Sequence, residues 1–260
     1  MPQFIQLTGV TFKNPNLPIL TDLAEGIYNL PNLSAWVNAG EGNIFYDQSG
    51  DLVLVDKSPS AANFVKAPSR EHGPSIKNNG LNGHNTIVFD GNGADIGGLK
   101  REVDDMPINQ GSFTYAMVVK ITGNAGVNNN LIATGNLGTS GVPMFSSSTA
   151  STFSMSGVDA NASHNVSNAM GEWIILIGSF DNDNNQAKLL SPNDLATINA
   201  ATGSSPNIQP SLFLGQNDSQ TSLAKCEMAE TIVLYDDILS ESNSLHLAKV
   251  IDYFKSKYQL

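Results

Sequence analysis

The sequence predicts an all-β fold of two antiparallel sheets with one helix at the C-terminus. Short apolar segments alternate with turns rich in Gly, Asn and Asp, and a helical period appears only near the end of the chain. Helices and strands do not alternate, so the pattern does not favour a parallel βαβ sheet. The 260 residues are enough for one large β domain.

The clearest strand covers residues 112–121. Its odd-numbered side chains from Phe113 to Ile121 are all apolar, and Ala116 and Val118 make the opposite face largely apolar too. Because successive side chains of a strand point to opposite faces, this strand is expected to be covered on both sides. Further strands are predicted at 44–46, 52–55, 86–89, 130–134, 144–147, 172–180, 211–214 and 231–235.

The predicted helix follows Ser240, which is placed to cap its first turn. Glu241 in the first turn and Lys255 and Lys257 in the last turn complement the helix dipole. One face of this helix is apolar and would pack on the sandwich: Leu247, Val250, Ile251, Phe254 and Tyr258.

Residues 1–32 differ from the rest, because prolines interrupt short apolar segments and disfavour long helices and central strands. We predict an extended N-terminal arm over 1–32 and a single domain over 33–260. The arm would dock on a partner or a sister subunit, or else lie on its own domain. Its apolar residues are Phe4, Ile5, Leu7, Val10 and Phe12.

Composition limits the classes of partner. The formal net charge is −11, which argues against binding to nucleic acid or to an anionic membrane surface. No apolar stretch is long enough for a membrane span, and the first residues do not resemble a signal peptide. The single cysteine, Cys226, excludes an intrachain disulfide, so folding in a reducing cytoplasm is expected.

Two ordered sets of short motifs carry a resemblance to a known family. The closing set is 228–240 with the helix that ends at Tyr258, and the opening set is 33–36, 47–50, 56–58, 73–76, 81–83 and 88–91. Together they resemble concanavalin A-like, laminin-G-like domains of phage and bacterial surface proteins. The resemblance implies a jelly-roll sandwich over 33–260 that serves binding or assembly. The segment after Asp181 departs from the family pattern, and so does the N-terminal arm.

Most residues in these motifs have a structural interpretation. Trp36 is expected to fill the core, with a sugar-stacking platform as the alternative. Glu230 is expected to accept hydrogen bonds from a neighbouring loop.

A glycoside hydrolase of this fold would need a pair of carboxylates on one face of a strand. Glu227 and Glu230 are three apart, and Asp236 and Asp237 are adjacent, so regular strands would place each pair on opposite faces. We therefore predict a protein that is not an enzyme, with glycoside hydrolase as the remote alternative.

Polar turns offer candidate ligand sites. Asp181 and Asp183 are hard oxygen donors that could bind calcium, although the pattern favours a turn without metal. The histidines show no zinc-ligand spacing: His72, His84, His164 and His246. Loop residues that could hydrogen-bond a glycan are Asn128, Asn129, Asn130, Asn217 and Asp218, without an obvious aromatic partner.

Two functions fit these observations. The first is a phage virion structural protein, such as a tail fibre or a capsid decoration protein, that assembles with other virion proteins or as a homo-oligomer and contacts a cell-surface glycan. The second is a soluble bacterial glycan-binding module. For the first, the expected location is the virion, after folding in the host cytoplasm.

Overall fold

The structure is a computed structural model that describes residues 22–67, 71–91, 97–102, 111–123, 129–134, 142–146, 152–156, 161–166, 170–192, 195–203, 211–216 and 223–260. The α-helices are α1 (Asp22–Tyr28) and α2 (Ser244–Tyr258). The strands are β1 (Leu33–Asn38), β2 (Ile44–Tyr46), β3 (Leu52–Leu54), β4 (Val65–Lys66), β5 (Ser75–Leu81), β6 (His84–Asp90), β7 (Leu99–Glu102), β8 (Phe113–Ile121), β9 (Asn129–Thr134), β10 (Val142–Ser146), β11 (Thr152–Ser156), β12 (Asn161–Asn165), β13 (Trp173–Asp181), β14 (Gln186–Ser191), β15 (Leu195–Thr202), β16 (Ser211–Leu214) and β17 (Lys225–Leu234).

The strands form two large antiparallel sheets. Sheet 1 has eight strands in the order β15-β14-β13-β8-β17-β6-β5, and β1 also pairs with β17. Sheet 2 has seven strands in the order β12-β11-β10-β9-β16-β7-β4, and β2 and β3 form a separate hairpin. This arrangement confirms the predicted two-sheet sandwich.

The main core lies between the inner faces of the sheets. Strand β8 shows how it forms, because Phe113, Tyr115 and Met117 are buried in this core as their alternation predicted. The ring of Phe113 stacks on Phe180 of the neighbouring strand β13, with centroids 5.9 Å apart. Leu131 and Leu212 of sheet 2 belong to the same core, so a continuous apolar layer joins the two sheets.

A second core lies on the outer face of sheet 1, beneath α2. Ala116 and Val118 of β8 pack there with Val250 and Phe254 of the helix. Phe254 is fully buried, as the predicted apolar face required. Both faces of β8 are thus covered, one by sheet 2 and one by α2.

The start of α2 differs from the prediction. Ser240 does not cap the helix, which begins at Ser244 after a 3-10 turn over Glu241–Asn243. The Ser240 hydroxyl instead donates a hydrogen bond of 2.8 Å to the carbonyl of Asp237. The helix ends as predicted, with Lys255 and Lys257 in its last turn.

The last part of the predicted arm also differs. Residues 22–28 form α1 rather than an extended chain, and Ile27 is fully buried in the second core. No proline lies between Pro18 and Pro31, so a helix of this length fits between them. Residues 1–21 lie outside the described part of the chain, so docking through Phe4, Ile5, Leu7, Val10 and Phe12 stays a prediction.

A buried ion pair links sheet 2 to β1 of sheet 1. Arg101 on β7 lies 3.0 Å from Asp56, and both side chains are fully buried. The guanidinium also donates a 2.7 Å hydrogen bond to the carbonyl of Ser34 on β1. Because each charge is compensated, this pair has a structural role.

No helix within the described residues is long and apolar enough to cross a membrane.

Candidate functional site

The outer face of sheet 1 carries two clusters of the same composition, each with a tryptophan, a lysine over its ring and a glutamate from β17. The chain has only two tryptophans, and both are used here. In the first cluster, Lys57 Nζ lies 3.7 Å from the centroid of Trp36 and pairs with Glu230. In the second, Lys120 Nζ lies 5.0 Å from the centroid of Trp173 and pairs with Glu227; we name these the Glu230 cluster and the Glu227 cluster.

A bulge in β17 brings the two glutamates to one face. Met228 is paired with Val119 of β8, but Glu230 is paired with the next residue, Val118, so Ala229 is an extra residue. The prediction that Glu227 and Glu230 point to opposite faces is therefore wrong, because it assumed a regular strand. Both carboxylates lie on the outer face.

The Glu230 cluster is closed. Glu230 is fully buried, and its Oε1 accepts hydrogen bonds from Trp36 Nε1 at 2.6 Å and Asn38 Nδ2 at 2.8 Å. Tyr253 of α2 donates to the same oxygen at 2.9 Å. Strand β1 and helix α2 thus meet at one carboxylate. The predicted loop contact is present as well, because Lys57, in the loop between β3 and β4, donates a longer hydrogen bond of 3.4 Å to Oε1.

The second oxygen of Glu230 is also engaged. Its Oε2 accepts 2.8 Å hydrogen bonds from Lys257 Nζ and from the Tyr258 hydroxyl. Burial alone would raise the pKa of Glu230, but the charges of Lys257 and Lys57 outweigh it and lower this pKa to about 2. Glu230 is therefore charged at neutral pH, and it holds β1, β17 and α2 together.

Trp36 belongs to this closed cluster. Its side chain packs in the second core, and its ring meets Tyr253 edge-on at 5.9 Å. The expectation that Trp36 is a core residue, and not an exposed sugar platform, agrees with this position.

The Glu227 cluster is more open. Glu227 Oε1 lies 2.9 Å from both Lys77 Nζ and Lys120 Nζ, and Thr86 contributes a longer contact of 3.4 Å to Oε2. The side chain of Lys77 is 49% exposed, and Trp173 is partly exposed, so solvent reaches this cluster.

Strand register explains why these residues meet. Trp173 on β13 pairs with Lys120 on β8, Lys120 pairs with Glu227 on β17, and Glu227 pairs with Val88 on β6. Ser75 on β5 continues this row as the partner of Val88. A row of neighbouring side chains therefore crosses five strands of sheet 1.

The electrostatics do not favour acid catalysis. Among the described residues, three carboxyl groups have clearly shifted pKa values, those of Asp181, Glu227 and Glu230, and each pKa is lowered. At Glu227 burial would raise the pKa, but hydrogen bonds from Lys77 and Lys120 outweigh it. A general acid of a glycosidase needs the opposite shift.

The residues predicted to bind a glycan through loops do not form a site in the described structure. Asn129 and Asn130 are buried residues of strand β9, and the Asn129 side chain accepts a 2.9 Å hydrogen bond from the backbone of Lys225. The expected loop position of Asn129 is wrong, because β9 begins one residue before the predicted strand of 130–134. Asn130 lies at the start of the strand predicted there, and not in a loop. Asn128, Asn217 and Asp218 lie outside the described residues.

The predicted calcium turn is held together by a lysine. Asp181 Oδ2 lies 2.9 Å from Lys188 Nζ and accepts a 2.8 Å hydrogen bond from Asn184. Lys188 also pairs with Asp237. The ammonium group thus neutralises the carboxylate that calcium would use, and Asp183 adds only its backbone N–H to Asp181. Among the described residues, no group of three or more His, Cys, Asp or Glu side chains is arranged to hold a metal ion.

Sequence reasoning missed the Glu227 cluster. The apolar alternation of β8 and β13 predicts that Lys120 shares a face with Val118, and Trp173 with Ile175. It gives no strand order, so it could not bring these residues to Glu227. The available signal was the presence of one lysine, Lys120, in the otherwise apolar strand β8 and of Trp173 at the start of β13.

The fold defines the class as an antiparallel β-sandwich domain, and solved structures of that class are similar to it. No protein-family model matches the chain, and no curated protein matches its sequence. The binding domain of botulinum neurotoxin serotype D is similar with a TM-score of 0.54 and 10% identity, over 84% of this chain and 52% of that one. The binding domain of botulinum neurotoxin DC is similar with a TM-score of 0.53 and 11% identity, over 84% of this chain and 52% of that one.

A sialidase of Trypanosoma rangeli is similar with a TM-score of 0.57 and 11% identity, over 90% of this chain and 37% of that one. The chain therefore spans about half the length of the toxin domains and less of the sialidase. At such identities the similarity shows the fold, which agrees with the sandwich that the sequence resemblance implied; the concanavalin A-like family itself is not confirmed.

Proposed function

We propose that this chain is a non-enzymatic glycan-binding β-sandwich module. The observation that carries the proposal is the Glu227 cluster, where a partly exposed indole lies beside charged groups on a sheet face. Sugars are recognised by such a combination, because they present both apolar C–H surfaces and hydroxyl groups.

The structural neighbours support a carbohydrate ligand. The botulinum neurotoxin DC binding domain has been solved in complex with SialylT, and the Trypanosoma rangeli sialidase in complex with sialic acid. These ligands belong to those proteins, and the toxin domains are described as binding domains. These complexes support a carbohydrate-binding role for a chain of the same fold.

The absence of catalysis is part of the proposal. Glu230 has both oxygens occupied and a pKa of about 2, and the pKa of Glu227 is also lowered. Neither carboxyl group is suited to donate a proton to a leaving group near neutral pH.

A glycan array with the full chain tests the proposal, with and without calcium. We expect binding to a subset of glycans and no release of a chromogenic aglycone from their glycosides. An array without any bound glycan would contradict the binding role, and hydrolysis that is lost in E227Q would contradict the non-enzymatic role.

We further propose that the module is a surface component of a phage virion, such as a tail fibre or a decoration protein. The low content of charged residues, 14%, and the single buried cysteine favour a protein that folds in a reducing compartment and then functions outside cells. Mass spectrometry of purified virions should detect the chain. If virions contain it only at the level of host contaminants, the virion role is wrong.

In this role the N-terminal arm would dock on other virion proteins or on a sister subunit. Deletion of residues 2–21 leaves α1 and its buried Ile27 intact. We expect the truncated protein to fold but to be lost from particles. Incorporation at the level of the full chain would contradict the docking role.

A further inference from the structure

We propose that the Glu227 cluster is the sugar-binding site and that it selects anionic, carboxylate-bearing sugars. This inference rests on the proposed glycan-binding function and adds the place and the charge of the ligand. Its residues are Trp173, Lys120, Lys77 and Glu227, which lie on four different strands of sheet 1.

The charge balance of the cluster is positive. Lys77 and Lys120 both contact Oε1 of Glu227 at 2.9 Å, so two ammonium groups share one carboxylate. Two positive charges and one negative charge leave a surplus of one, in a chain whose formal net charge is −11. A carboxylate on the ligand would compensate that surplus.

The neighbouring Glu230 cluster also has a surplus of positive charge. Lys57 and Lys257 both pair with Glu230, which again leaves one positive charge in surplus. The two clusters lie on the same face, because Glu227 pairs with Lys120 and Glu230 with Val118 of one strand. The part of this face around Glu227 and Glu230 therefore carries a positive surplus, whereas Lys188 with Asp181 and Asp237, elsewhere on sheet 1, carries a negative one. The positive part would attract an anion to an otherwise acidic protein.

Access distinguishes the two clusters. Glu230 is fully buried beneath α2 and its oxygens are occupied by helix residues. Lys77 is 49% exposed, and Ser75 at the end of the row is exposed as well. A ligand can reach the Glu227 cluster from solvent without displacing the helix.

Each residue of the Glu227 cluster would make a different contact with the ligand. Lys77, whose side chain is 49% exposed, would turn from Glu227 to pair with a ligand carboxylate, while Lys120, with a side chain only 14% exposed, holds Glu227 in place. The partly exposed side chain of Trp173 would supply an apolar contact for the sugar ring. Glu227 and Thr86 supply oxygen atoms on the same face.

The test is isothermal titration calorimetry of the full chain with sialyllactose, and with lactose as the neutral probe. We expect sialyllactose to bind more tightly than lactose, and its affinity to fall as sodium chloride is added. K77E should weaken sialyllactose binding by about tenfold or more, since one attractive pair becomes repulsive. W173A should weaken both sugars.

The matched control is K66E. Lys66 also forms an ion pair that solvent reaches in part, with its Nζ 2.6 Å from Oδ2 of Asp51. It lies on β4 of sheet 2, away from the Glu227 cluster. We expect its affinity for sialyllactose to be unchanged, and thermal unfolding checks that all variants are folded.

The outcomes separate the two proposals. If sialyllactose binds and K77E and W173A match the unmodified chain, the site is elsewhere and only this inference fails. If lactose binds as tightly as sialyllactose, the selection for anionic sugars is wrong. If neither sugar binds and a glycan array is also empty, the glycan-binding function fails together with the inference.

Discussion

Trp36 Nε1 donates a 2.6 Å hydrogen bond to Glu230 Oε1 although the two residues are 194 positions apart in the chain. This contact joins β1 to the central strand β17. Tyr253 and Tyr258 of α2 donate to the same carboxylate, so one buried side chain joins the beginning, the centre and the end of the domain. The helix is therefore attached to the sheet by a charge as well as by its apolar face.

Removal of that charge should be costly. In E230Q the ammonium groups of Lys57 and Lys257 lose their partner, and breaking a buried pair in this way costs roughly 3–5 kcal/mol. We expect the free energy of unfolding in urea to fall by that amount. E41Q, at an exposed glutamate, is the control and should change it by less than about 0.5 kcal/mol. Equal stability of E230Q and E41Q would contradict the role of Glu230.

Acid should destabilise the fold through the same residue. The pKa of Glu230 is lowered to about 2 in the folded chain, below its ordinary value of 4.5. A carboxyl group with a lowered folded pKa stabilises above its unfolded pKa, and this contribution is lost as the pH falls towards the folded pKa. We therefore expect stability to decline between about pH 4.5 and pH 2, measured by thermal unfolding. E230Q should show a shallower decline, and an identical slope would contradict this assignment.

The apolar contact of α2 can be tested separately. Phe254 is fully buried, so F254A should reduce the free energy of unfolding by roughly 3–5 kcal/mol. Leu245 on the same helix is 77% exposed, and L245A should change it by less than about 0.5 kcal/mol. Similar effects of the two variants in urea titrations would show that the helix does not pack as described.

The lone cysteine should be inert in the folded protein. Cys226 is fully buried between the sheets, and burial followed by the charge of Glu227 raises the pKa of its thiol. A coloured disulfide reagent should therefore react with it only at the rate of unfolding. Reaction within seconds in native buffer would contradict its burial, and reaction in urea is the positive control.

The regular parts of the fold were predictable because they follow strand and helix periods. The alternation in β8 predicted both of its faces, and the period of α2 predicted the face that contains Phe254. Strand β17 was recognised only from Thr231 onward, although it begins at Lys225. The part before Thr231 contains Glu227 and Glu230, which interrupt the apolar pattern.

The candidate site was not predictable for a related reason. A bulge at Ala229 adds one residue and reverses the face of everything beyond it, and a single sequence does not reveal it. The partners of the two glutamates also come from distant segments, such as Lys77 and Lys257. The sequence therefore predicts polar loops as the binding site, whereas the site proposed above consists of aromatic and charged residues on a sheet face.

Two-dimensional ¹H–¹⁵N NMR of the two indole groups tests the central claim most directly. The spectrum contains one signal for Trp36, which is hydrogen-bonded beneath α2, and one for Trp173 in the open cluster. Titration with sialyllactose should shift the Trp173 signal, assigned by its loss in W173F, and leave the Trp36 signal in place. A titration in which sialyllactose leaves the Trp173 signal unmoved would contradict the account.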